Sequence, residues 1–116
     1  MADITTLNAD AGGYEDWMAR FRTSPEDIAA WLRQSFDGAE IEVESLNDRF
    51  THLFRVYDRE RSPYPTLLIS WEALEDWGFE MIIDDFETSR LIEQLKRQPG
   101  VPLVYRRDRS LRPDTD

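Results

Sequence analysis

The chain has no cysteine, which removes disulfides, thiolate metal sites and cysteine nucleophiles together. It has one histidine, His52, and one lysine, Lys96; every other basic residue is arginine. A Ser-His-acid arrangement would need His52 oriented by a carboxylate and touching a serine, yet no G-x-S-x-G spacing and no second histidine is present. There is no P-loop, no G-x-G-x-x-G and no D-x-[DN]-x-[DN]-G calcium loop, so no motif asks for a nucleotide, a metal or another cofactor. The longest apolar run, Leu67-Leu68-Ile69, falls far short of the roughly 20 residues that span a bilayer. The start, MADITTLNADAGG, has neither a basic nor an apolar segment of a secretory signal, so the expectation is a cytoplasmic protein.

What is present is acid. Asp and Glu number 24 against 14 Lys and Arg, a formal net charge of −10 that repels nucleic acid and anionic membranes and attracts basic partners. The bias toward acid and arginine is also what GC-rich coding or salt adaptation produces. The charge is uneven: residues 62–89 carry seven acids and no basic group, while residues 90–116 carry four acids and seven basic groups. An apolar fraction of 41% with 12% aromatics fits one globular domain.

Residues 1–12 read as a flexible leader, 13–107 as a single α+β domain and 108–116 as a flexible polar tail. Tyr14, Trp17, Met18 and Phe21 recur at helical spacing and predict a first helix. Ser24-Pro25 starts a second, striped by Ile28, Trp31, Leu32 and Phe36 and ended by Asp37-Gly38. Ile41 and Val43 alternate with Glu40, Glu42 and Glu44, predicting a half-buried strand with one acidic face. Asn47-Asp48 supplies a turn, and Phe50 to Tyr57 answers as a central strand. Tyr64 to Ile69 is a third strand whose start Pro65 confines to an edge or unpaired position. Ser70 caps a short helix to Trp77, with Gly78 as its left-handed terminator. Phe79 to Ile83 alternates as a short strand or packed connection, and a long helix runs from Asp84 or Asp85 to Gln98. Val101 to Arg107 closes the domain as a strand held to an edge by Pro102.

The order is α-α-β-β-β-α-(β)-α-β. It predicts an α+β fold with an antiparallel sheet of four strands, five if Phe79 to Ile83 joins, and helices packed mainly on one face. In element order and charge this outline resembles the small α+β modules of bacterial secretion chaperones and related dimeric interaction proteins. The resemblance implies a protein-binding role and self-pairing.

The stretch from Thr66 to Glu87 combines core and acid. Glu72 is accounted for by a helix start, and Asp84 and Asp85 by the next one. That leaves Glu75, Asp76, Trp77, Glu80 and Glu87 as the candidate partner-binding residues, an aromatic anchor ringed by carboxylates. The basic tail, Arg106, Arg107, Arg109 and Arg112, reads as pairing with the chain's own acids or with a second copy rather than with phosphates. The expected function is a non-enzymatic interaction domain of adaptor, chaperone-like or immunity/antitoxin type that binds a basic protein partner or itself. The alternatives are a carboxylate-based, metal-assisted small enzyme around Glu80 to Glu87 and a DNA-mimic inhibitor. Edge strands near Ile41 and Val101 that need covering argue for a homodimer.

Overall fold

The computed structural model describes residues 21–114, so the leader and the helix expected from Tyr14 lie outside the described residues. The first described helix, α1, spans Pro25–Ser35. Ser24 Oγ accepts the Asp27 N–H at 3.2 Å, and Pro25 sits at a first-turn position where its missing N–H costs nothing. Asp37 (φ 56°) and Gly38 (φ 86°) end it in left-handed geometry, with the Gly38 N–H returning to the Arg33 carbonyl at 2.8 Å.

Five strands follow: β1 (Glu40–Leu46), β2 (Thr51–Tyr57), β3 (Thr66–Ser70), β4 (Leu103–Tyr105) and β5 (Leu111–Pro113). They form one sheet in the spatial order β1-β2-β3-β4-β5. The expected antiparallel pairing holds for β1–β2, β2–β3 and β4–β5, but β3 and β4 run parallel, so the sheet is mixed. The cause is connectivity. Three helices intervene between β3 and β4, and such a crossover returns the chain to the end where β3 began.

Period 2 then sorts the side chains. The register sets Ile41 opposite Val56, Phe54 opposite Leu67, Leu67 opposite Leu103 and Tyr105 opposite Leu111, all on one face. The other face carries Glu40, Glu42 and Glu44 on β1, Leu53 and Arg55 on β2, Leu68 on β3 and Val104 on β4. Every described helix packs on the first face. Ile28 and Leu32 of α1 join Phe54, Val56, Leu67, Ile69 and Tyr105 in one core with the helices that follow β3.

Those helices depart from the sequence expectation in three places. Helix α2 spans Trp71–Asp76, capped as expected by Ser70 Oγ on the Ala73 N–H at 3.1 Å. Gly78, however, has φ −76° and ψ 162°: it is the N-cap of α3 (Phe79–Thr88), not a left-handed terminator. Phe79 to Ile83, expected as a short strand or packed connection, is therefore the first half of α3. Burial decides it, because Ile82 and Phe86, four apart, are fully buried while Met81 is 38% exposed. The long helix from Asp84 or Asp85 to Gln98 is two helices, and both aspartates lie inside α3. The break is Arg90, in left-handed geometry at φ 57°, and α4 (Leu91–Arg97) resumes with Leu91 and Leu95 fully buried.

Two further corrections concern the ends of the strands. Phe50 belongs to the β1–β2 turn, at φ 49° and 64% exposed, rather than to β2. Pro102 does not make β4 an edge strand: it precedes β4, which lies between β3 and β5. The Pro102 carbonyl instead accepts the Asp114 N–H at 2.8 Å. The segment expected as a polar tail from residue 108 contributes β5.

Candidate functional site

The acidic middle and the basic end of the chain meet across β4 and β5. After β4 the chain turns through Arg106–Ser110, with the Arg109 N–H on the Arg106 carbonyl at 2.8 Å, the Arg106 N–H on the Ser110 carbonyl at 3.0 Å, and Arg109 itself at φ 67°. This turn brings two arginines over α2 and α3. Arg109 donates to Asp85 from Nε at 2.9 Å and from Nη2 at 2.7 Å, and the Tyr105 hydroxyl donates to the same carboxylate at 2.5 Å. The Arg109 guanidinium, aided by the phenol, holds the Asp85 carboxyl below the usual carboxylate range. Burial, reinforced by that carboxylate, pushes the Tyr105 phenol far up.

Arg107 serves α2 in the same way. Its Nε lies 2.6 Å from Asp76 Oδ2 and its Nη1 3.8 Å from Glu72. The Trp77 indole N–H donates to the Arg107 carbonyl at 2.8 Å, and the Arg109 guanidinium lies over the Trp77 ring at 5.8 Å. From the other side, Arg22 Nη1 donates to the Asp76 carbonyl at 3.1 Å and Thr23 Oγ1 to the Trp77 carbonyl at 2.7 Å. Asp76, at the end of α2 and on the unfavourable side of its dipole, is thus offset by Arg107, while Arg22 satisfies the carbonyl of the same residue.

The five candidate residues fall into three places. Asp76 and Trp77 come together, engaged by the Arg107–Arg109 segment, with Trp77 packed on the core. Glu75 opens onto a cleft of about 540 Å³ beyond the end of β3, shared with Arg49, Phe50, Trp71, Glu72 and Arg106. Glu80 and Glu87 are exposed on α3. With Asp84, also exposed, they recur at i, i+4 and i+7, a single outward stripe. No ion pair engages Glu80, Asp84 or Glu87 among the described residues.

Sequence reasoning missed the cleft and the state of β1. The cleft joins residues distant in the chain: Phe50 packs edge-on to Trp71 at 5.4 Å between ring centres, and Arg49 reaches Asp114 at 3.3 Å. No sequence periodicity signals that meeting. On β1, Glu42 accepts from Arg55 at 2.5 Å and from the Tyr57 hydroxyl at 2.6 Å, and these bonds, the tyrosine's foremost, draw its carboxyl below the usual range. Glu40 and Glu44 beside it take no such partner among the described residues.

His52 is buried among rings, 5.7 Å from Phe21, 6.1 Å from Trp71 and 6.4 Å from Phe54, and burial lowers its imidazole pKa. Among the described residues, no three His, Asp or Glu side chains converge as a metal site, and no helix is long and apolar enough to cross a membrane. Within the Glu80 to Glu87 segment of the metal-assisted alternative, Asp85 is turned toward Arg109 and Tyr105. Comparison with protein-family models, curated proteins and solved structures returns no match.

Proposed function

We propose that this domain is a non-enzymatic interaction module that binds a basic protein partner through carboxylates that no other described residue neutralises. The reading rests on the outward stripe of α3. Glu72, Asp76 and Asp85 each have an arginine, whereas Glu80, Asp84 and Glu87 face solvent together without one among the described residues. Like charges at i,i+4 and i,i+3 weaken a helix, and although the dipole favours Glu80 in the first turn, Asp84 and Glu87 lie beyond its reach. A basic partner would relieve the repulsion, and the field of the stripe would steer its approach. Of the sequence-derived candidates, Glu80 and Glu87 carry this reading, with Glu75 at the cleft as a second contact. Asp76 and Trp77 serve to hold the Arg107–Arg109 segment that borders them. A cytoplasmic setting suits a cysteine-free chain.

The test is calorimetric titration with an arginine-rich peptide. The triple variant Glu80→Lys, Asp84→Lys, Glu87→Lys is compared with an equal charge change at exposed positions elsewhere, Asp48→Lys, Glu60→Lys, Glu93→Lys. The α3 variant should weaken binding by about tenfold more than the control, and the wild-type affinity should fall with added salt. Equal losses in the two variants would mean that only net charge is read. An affinity indifferent to salt would remove the electrostatic basis altogether.

A further inference from the structure

We propose that the free edge of β1 is a strand-addition site for an extended segment of the basic partner. The proposal rests on the preceding reading of the partner as basic and adds a contact distinct from the α3 stripe, with its mode of binding.

Among the described residues β1 is the outermost strand, seven residues long and exposed along most of its length. Its backbone orientation follows from its neighbours. The Val56 N–H donates to the Pro65 carbonyl and the Trp71 N–H to the Phe50 carbonyl, so even-numbered residues of β2 address β3 and odd-numbered ones address β1. Their partners on β1 are Glu40, Glu42, Glu44 and Leu46, which therefore point their backbone groups inward. Ile41, Val43 and Ser45 turn theirs outward, three donors and three acceptors in a row on an open edge. Beside them Val43 is 40% exposed, an apolar surface the helices do not cover.

The charge pattern selects the occupant. In an antiparallel pairing that uses the outward groups, even positions lie opposite even positions. A second copy centred on Glu42, Val43 or Glu44 thus sets glutamate against glutamate, which is destabilising. An incoming strand with basic residues opposite Glu40 and Glu44 finds two carboxylates that have no ion pair among the described residues, while Glu42 is already held by Arg55 and Tyr57. The fitting segment has basic residues four positions apart and an apolar residue opposite Val43. Main-chain bonds supply affinity, and the alternating side chains supply selection.

The probe is a capped seven-residue peptide alternating Val with Arg or Thr, its two Arg four positions apart. Its control has Glu in place of Arg. Hydrogen exchange on the wild-type domain should show the Ile41, Val43 and Ser45 amides slowed by about tenfold on saturation with the Arg peptide, and unchanged with the Glu peptide. Val43→Pro removes an outward donor without touching the β1–β2 ladder, and should weaken the Arg peptide by about tenfold. The exchange measurement stands by itself if that variant does not fold. Binding that leaves these amides unprotected and is lost in the Glu80/Asp84/Glu87 reversal would overturn the edge site while sustaining the basic-partner reading. Self-association abolished by Val43→Pro would overturn it in favour of a second copy. Absence of Arg-peptide binding would also overturn it, leaving the glutamates as guards of the edge.

Discussion

Arg109 and Tyr105, from a surface turn and a buried strand, close on the two oxygens of a single carboxylate, Asp85. The phenol is the buried member, fully enclosed on β4 beneath Phe86 at 5.1 Å between ring centres. Tyr105→Phe keeps the ring and removes only its bond to Asp85. Thermal or denaturant unfolding should show a loss of about 1.5–3 kcal/mol, as for a hydrogen bond to a charged acceptor.

The same cluster has a signature in acid. The Asp85 pKa is lower folded than unfolded, so the stability it contributes is fully present above the ordinary carboxylate value of about 4. It is lost as pH falls from there through the lower folded value. Unfolding curves of Asp85→Asn should therefore decline less than wild type over that interval, with the two converging at its acid end.

His52 acts at milder pH. Its folded pKa is depressed, chiefly by burial and against the pull of Glu26, so the unfolded chain takes up the proton first as pH falls below about 6.5. Stability should decrease from that point down through the folded pKa. Because the chain has no other histidine, His52→Gln should flatten the curve there.

Two adjacent residues test the helical form of residues 79–88. Ile82 is fully buried, and Ile82→Ala should cost about 2–5 kcal/mol by leaving a cavity. Met81 points outward, and Met81→Ala should change stability by less than about 0.5 kcal/mol. Chemical denaturation of the pair gives the comparison directly, and the opposite ranking would fit a strand with Met81 inside.

Local chemistry was legible where it was strong. Ser24-Pro25, Ser70 and the alternation over Ile41 to Glu44 gave α1, the cap of α2 and β1 from sequence, because each signal acts within a few residues. Phe79 to Ile83 misled because its apolar residues satisfy both periods over five positions. Only Phe86, a turn beyond, separates them. Arg90 carries no left-handed signal of the kind glycine gives, so the break between α3 and α4 was hidden. At the candidate site, the pairing of arginine tail with acidic middle was foreseen in kind. The parallel β3–β4 contact that brings Arg107 and Arg109 within reach was not, because pairing over such a separation leaves no local trace.

That parallel contact also orders events in time. β1, β2 and β3 can zip through successive hairpins, but β4 reaches β3 only after residues 71–102 have been gathered, an entropic cost met before any contact rewards it. We expect Val104→Ala to speed unfolding and leave the folding rate nearly unchanged, and Val56→Ala to slow folding; stopped-flow kinetics with the reverse pattern would refute this order. On the ribosome β4 and β5 emerge after the three strands they join. Until they arrive, Leu67 and Ile69 flank a bare strand edge, and that interval is when the chain is most exposed to aggregation.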